Sequence, residues 1–470
     1  KILKELASVL IHKPNIDLEL NDFHLGRLCM FSNDYNRAIA YFDPIISWLK
    51  LADNISNLNI DMKYYEYLND IFEVLRTKKA MLALAKKALL LRIYITLHHL
   101  APINAVNECE ETIKKLEKYK LNSDEEYNLS IQELKAHALM NSALYQDGEI
   151  ILKEIQVQWI TDNRIINDET LFDLYDRLSS IYRHFNLKSL AVKYNNLSRN
   201  LALEHQDNKL LMLSDRTKYK IYLYTEPLLS FESIEETIEL NKINRLERIQ
   251  MDNALDECGY NILINKSLEI DTTLNTINTY LDTIDKKEFH RAKIHAYLLL
   301  STCFLLKNDS LSIIMAKKYT EMAIDLSTSY GIVKYLWRLY NLYGIIKMRL
   351  HCSGDDVYRT FNTVFDILKN RGLLFIGNRD LCHGNILALS NIGFYLQEHK
   401  YETLFHKLMG QVSYTEKNRN SLSDSVFCDN PKNQYLVKQY RLAKDKKVLF
   451  VDSQPEFLIR DNETNYIIII

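Results

Sequence analysis

The chain has 470 residues, of which 47% are hydrophobic and 26% charged, with a formal net charge of −2. That balance belongs to a globular protein and excludes long disorder, and it lacks the basic excess with which nucleic-acid binders neutralise phosphates. The length exceeds one ordinary domain, which leaves either several domains or one elongated repeat structure.

Eleven glycines and 6 prolines make up about 4% of the chain, where ordinary usage gives roughly 12%. Turns draw on these two residues, so a chain poor in both is expected to be nearly all helix over residues 1–440, arranged as antiparallel pairs. No apolar run approaches the roughly 18 residues that span a bilayer, and no signal peptide opens the sequence. Cys29, Cys109, Cys258, Cys303, Cys352, Cys382 and Cys428 are scattered and odd in number, which fits reduced thiols in a cytoplasmic protein. The opening residues, from Lys1 through Leu10, already carry a helical apolar pattern and read as a piece of something longer.

Internal repetition carries the expected fold. Near the start stand Leu25-Gly26-Arg27-Leu28, then Tyr35, Ala38 and Phe42, with Ser32-Asn33-Asp34 supplying a turn and a helix N-cap. Two small residues, Gly26 and Ala38, allow two helices to approach, and the larger ones fill the space around the contact. Pro44 is expected to kink or end the second helix. Ala80–Ala88 has the character of a second helix without a clear first. Ile131–Tyr145 reads as a helix that stops at Asp147-Gly148. Leu178-Ser179, Tyr182 and Ala191 repeat the first motif with Ser in place of Gly. Ser233-Ile234-Glu235-Glu236 opens a helix to about Leu255, and Asp285–Glu288 is a charged turn into Phe289–Leu306. Ala316, Tyr319 and Ala323 form a second-helix pattern, Tyr343-Gly344 follows Trp337 and Tyr340, and Ile392-Gly393 precedes Leu396 and Tyr401. Gly344 and Gly393 stand 49 residues apart, so the repeat is irregular and longer than a tetratricopeptide unit of about 34.

Two stretches differ. Gly372, Gly377 and Gly384 lie close together around Asn378-Arg379-Asp380 and Cys382-His383, which predicts an exposed loop at 372–386 between an array over 1–371 and a terminal repeat and cap over 387–443. Val448–Val451, Phe457–Ile459 and Tyr466–Ile470 predict a small β-rich appendage at 444–470.

Chemical motifs are missing. There is no phosphate-binding G-x-x-x-x-G-K-[ST], and Gly372 to Gly377-Asn378-Arg379 lacks the Lys and Ser/Thr that such a loop needs. H-E-x-x-H, G-x-S-x-G and C-x-x-C are also absent. The expectation is a chain with no catalytic residue and no cofactor. His351-Cys352 and Cys382-His383 read as incidental rather than metal ligands, since adjacent helical residues diverge. Without a basic excess, the 30 tyrosines read as amphipathic helix fillers rather than base-stacking platforms.

The Leu25–Phe42 motif resembles a tetratricopeptide (TPR) repeat, and the whole resembles an all-α, irregular TPR-like helical-hairpin solenoid. That resemblance implies a binding face on the first helix of each hairpin. Counted from the small residue, its outward positions are Phe23, Arg27, Met30 and Phe31; then Asp176, Ser180, Arg183 and His184; then Asn341, Ile345, Met348 and Arg349. Arg379 and Asp380 on the glycine-containing loop join them as candidate contacts. Long irregular arrays of this kind also resemble the C-terminal sensor regions of STAND-type NTPases, including bacterial anti-phage (AVAST-type) sensors. This implies a foreign partner protein, such as a phage structural or packaging protein, and oligomerisation through an upstream nucleotide-binding core. The competing expectations are a peptide-binding TPR regulator of the quorum-sensing kind and a scaffold subunit of a multi-protein complex, with an enzyme last.

Overall fold

Close helix crossings, each admitting one small residue, build the molecule. The computed structural model describes residues 16–31, 34–48, 68–118, 125–161, 168–244, 247–265, 270–286, 289–373, 385–399, 459–461, 463–464 and 466–469. Among these, the chain forms seventeen α-helices and one two-residue β-pair. Its contacts fall into two compact units, Lys1–Leu139 and Met140–Ile470, a division for which the sequence offered no signal.

In the first unit, α1 (Ile16–Phe31) packs on α2 (Tyr35–Ile46), and both meet α3 (Leu68–His99), which pairs with α4 (Pro102–Lys118). The helix α5 (Glu125–Asn141) runs across the boundary between the units. The Asp34 side chain caps α2 by accepting from the Arg37 amide at 3.2 Å. A Cβ placed on Gly26 would lie 2.5 Å from the Phe42 ring; the glycine leaves room for that ring, which is fully buried with Ala38 and Ile45. Pro44 sits in the last turn of α2, which ends two residues later, as a missing amide and a clashing ring require.

The second unit repeats this device. It comprises α6 (Tyr145–Thr161), α7 (Asp168–His184), α8 (Lys188–Glu204), α9 (Asn208–Tyr222), α10 (Pro227–Asn244), α11 (Glu247–Asn265) and α12 (Ile270–Lys286). It continues through α13 (His290–Lys307), α14 (Ser310–Ser329), a 3-10 turn (Val333–Tyr335), α15 (Leu336–Arg349), α16 (Gly354–Asn370) and α17 (Asn385–Glu398). The pairs α7/α8, α9/α10, α13/α14 and α15/α16 are tight hairpins. A Cβ on Gly344 would meet the Phe361 ring at 2.7 Å, matching Gly26 and Phe42. Where serine takes the small position it also bonds across the crossing: Ser179 Oγ donates to Ala191 O at 2.7 Å, and Ser301 Oγ to Ala316 O at 2.8 Å. Ser230 on α10 donates back to Tyr219 O at 3.1 Å. The first helices α7, α9, α11 and α13 begin at Asp168, Asn208, Glu247 and His290. These steps of roughly 40 residues exceed the 34 of a standard unit because helices here run 14–20 residues.

The turns are tight although glycine is scarce. Asn186, Gln206 and His351 take the left-handed conformation, as do Gly331 and Gly372. Around each, two amides close on the preceding helix: for Asn186 these are Asn186 N to Arg183 O and Leu187 N to Tyr182 O. This is the Schellman arrangement, which satisfies terminal carbonyls and stops the helix within two residues.

At the C-terminal end, Ile459 pairs with Ile468 and Arg460 with Ile467, antiparallel. The expected β-rich appendage thus amounts, among the described residues, to this pair; residues 444–458 lie outside them. The pair packs on α15 and α17, and Tyr466 stacks on Phe361 with ring centroids 5.7 Å apart. The ends of the expected 372–386 loop are anchored rather than exposed. Leu373 and Asn385 are fully buried, and Asn385 Nδ2 donates to Leu373 O at 2.9 Å.

Replacing Gly344 with Ala is expected to cost about 1–3 kcal/mol by overpacking against Phe361, read as a lower thermal midpoint. Adding Phe361→Leu should recover part of the loss. An unchanged midpoint for Gly344→Ala would show that the ring yields without strain.

Candidate binding cleft

Within the second unit, residues of successive first helices line a cleft of about 80 Å³. Each helix contributes polar residues four positions apart, which places them on one face. These are Arg216 and Lys220 on α9, Asp252 and Asp256 on α11, Arg291 and His295 on α13, and Lys334 and Arg338 at the entry to α15; of them Lys220, Asp256, His295, Lys334 and Arg338 line the cleft itself. From α7 come Arg183 and His184. Gly259 on α11 lines the cleft where a side chain would narrow it.

An ion-pair network organises one side. Arg216 holds Asp252 at 2.9 Å and Asp256 at 2.9 Å, while Lys220 approaches Asp256 at 3.6 Å. Tyr219 Oη donates to the Asp256 backbone carbonyl at 2.7 Å and locks α9 to α11. Burial works against the Asp256 carboxylate, yet Lys220 and Arg216 outweigh it and hold its pKa below the usual range. Burial, with Arg216 adding to it, brings Lys220 down to about 8. Burial lowers His295 to about 4 despite the facing Asp256, and its ring stacks on Tyr335 with centroids 5.9 Å apart. Lys334 is held well below the lysine range by burial and then by Arg291 and Lys220.

The residues expected on the binding face divide in the structure. Arg183 and Asp176 both lie on α7, and of the two Arg183 lines the cleft. Arg183 donates to His184 Nε2 at 2.9 Å, and His184 stacks on Tyr145 with centroids 4.0 Å apart. Asp176 accepts from Thr217 Oγ1 at 2.7 Å, and burial raises it to about 6. Arg27 is exposed, but on the first unit, and Phe23 is buried there against Phe42. The Phe31 side chain, Arg379 and Asp380 lie outside what is described.

Asn341 and Arg349 correct the outward expectation, because both are buried. Asn341 Oδ1 accepts from Asn391 Nδ2 of α17 at 2.9 Å. Arg349 binds Asp461 of the C-terminal strand pair at 2.6 Å and Glu463 at 2.9 Å. Ile345, also expected outward, is fully buried. At the last hairpin the inner face is covered by the chain's own later segments, an arrangement that no local pattern announces. Sequence reasoning also passed over Lys220, Asp256, His295, Lys334 and Arg338. Their signal was present as charged or histidine pairs four residues apart, repeated from α9 to the entry of α15.

No protein-family model matches the chain, and no curated protein matches it by sequence. Among solved structures it is similar to a Rap protein complexed with competence and sporulation factor, at 12% identity and a TM-score of 0.42, over 71% of this chain and 98% of that one. It is also similar to a circular tandem repeat protein with novel repeat topology and enhanced subunit contact surfaces, at 12% identity and a TM-score of 0.19, over 91% of each chain. At these values neither likeness carries an argument. The crossings and turns themselves define the class, an all-α, TPR-like helical-hairpin repeat of the kind that serves protein interaction. Among the described residues, no helix is long and apolar enough to cross a membrane.

Two outcomes follow from this geometry. Arg349→Ala leaves Asp461 buried without its counter-ion and is expected to cost about 3–5 kcal/mol. Amide exchange should speed up across residues 459–469, and Arg349→Met with Asp461→Leu should restore much of the protection. A second outcome concerns pH. The unfolded chain protonates His295 near its ordinary 6.5, whereas the folded chain resists until about 4, so stability falls as pH drops through that window. His295→Gln should flatten this acid limb by about 1–3 kcal/mol; identical slopes in both proteins would place the imidazole in free exchange with solvent.

Proposed function

We propose that the chain is a recognition module, not a catalyst, and that the cleft of its second unit takes an extended polypeptide segment. The observation that carries this reading is the convergence of ionisable side chains from five successive first helices, or the turn that leads into one, on a single cleft. Desolvating such groups is costly, and a fold seeking stability alone replaces them with apolar residues. A charged cleft that opens to solvent suits a ligand reaching in between helices, with specificity set by a few placed polar groups. This favours a peptide-binding role of the regulator kind over a scaffold.

A second reading is supported by the long helices that surround the cleft. As the sensor portion of a STAND-type NTPase, the chain binds a folded phage protein over a surface larger than about 1,600 Å². In that reading the cleft is only one part of the contact.

Selection of random 12-residue peptides on the immobilised full chain separates the two. The peptide reading expects enriched sequences whose affinity drops by about 1–2 kcal/mol in Arg338→Glu. If no peptide is enriched, while a folded protein from phage-infected cells binds both wild type and Arg338→Glu equally, the peptide reading fails and the sensor reading gains.

A further inference from the structure

We propose that Lys334, with Lys220 and Arg338 beside it, forms a seat for a carboxylate of the bound polypeptide. The proposal rests on the cleft being the binding surface and adds the chemistry of what it holds.

Three observations support it. First, the cleft lining carries Arg183, Lys220, Lys334 and Arg338 against a single carboxylate, Asp256. That carboxylate is already engaged by Arg216 and Lys220. Four cationic side chains facing one carboxylate make this wall of the cleft net positive, which attracts an anion. Second, among the described residues Lys334 makes no ion pair, and its ammonium rests over the Tyr335 ring, 4.9 Å from the centroid. A cation on an aromatic face keeps its remaining donors available. Burial, then Arg291 and Lys220, hold its pKa low, and Asp252 only partly offsets them. Third, the same stretch of chain shows how it receives an acid. Fifteen residues further along, Arg349 holds the Asp461 carboxylate at 2.6 Å, both side chains almost fully enclosed. There a segment of the chain itself lies on the inner face of α15, and an acidic side chain anchors it. Lys334 offers a second cation at the opposite end of that helix, facing the open cleft.

Carbon-13 dimethylation of the lysines in the full chain, with the Lys334 resonance assigned by its loss in Lys334→Arg, gives a direct reading. Succinate is the probe, with inorganic phosphate and sodium chloride at matched ionic strength. Succinate is expected to move the Lys334 resonance at a concentration at least tenfold below phosphate. A resonance that stays still, follows ionic strength alone, or prefers phosphate overturns the proposal. Lys334→Met removes charge from a cationic group, so it should melt no lower than wild type while losing at least tenfold in succinate affinity; Lys334→Arg should keep that affinity. A Lys334→Met protein that melts markedly lower would make the lysine a structural support and overturn the seat. With a peptide obtained by selection, changing its acidic side chains to amides, or amidating its C terminus, identifies which carboxylate is seated. A selected peptide that binds in the cleft and tolerates both changes refutes the carboxylate while leaving peptide recognition intact.

Discussion

The tight hairpins depend on a close approach of two helices at a small residue. At Gly26 and Gly344 the vacated space is filled by a phenylalanine ring from the partner helix. At Ser179 and Ser301 the hydroxyl reaches across and donates to a partner carbonyl. Both solutions reach the same end, since a dense contact at the crossing fixes the position of the two helices and carries their outer surfaces with it. The cleft is a consequence. Because the tight hairpins are held at their crossings, and Tyr219 locks α9 to α11, the polar pairs from α9 to the entry of α15 are brought to one cleft.

Much of the fold was legible because the strongest signals are local. The Leu25–Phe42 spacing lies within one hairpin, and the scarcity of glycine and proline holds along the whole chain. The repeat count was harder to read, since serine often replaces glycine at the crossing and helices of up to 20 residues stretch the period. Scarcity of glycine also misled in one respect. Turns were expected to be few, yet Asn186, Gln206 and His351 adopt left-handed conformations that sequence assigns first to glycine.

The cleft was legible in part. Arg183 lines the cleft at a position counted from the motif around Ser179, whereas Asp176 on the same helix is tied to Thr217 instead. The same counting fails at Asn341 and Arg349. Their partners, Asn391 and Asp461, lie 50 and 112 residues away in sequence, and no helical periodicity encodes that return. Lys334 escaped notice for another reason: it stands on a 3-10 turn before α15, ahead of the motif from which positions were counted. Such a turn, placed between helices, sets the direction in which the next one starts.

The non-glycine turns carry a practical consequence for anyone engineering this chain. Left-handed backbone costs an L-residue roughly 1–2 kcal/mol, so each such turn holds a reserve of stability that evolution has not taken up. At Asn186 the reserve is committed, since its side chain donates to Asn385 Oδ1 at 2.6 Å and ties two distant hairpins together. Gln206 and His351 stand in solvent-facing turns outside the cleft. Glycine at those two positions would relieve the strain, less its own larger loss of backbone entropy on folding, and leave every residue of the recognition surface in place.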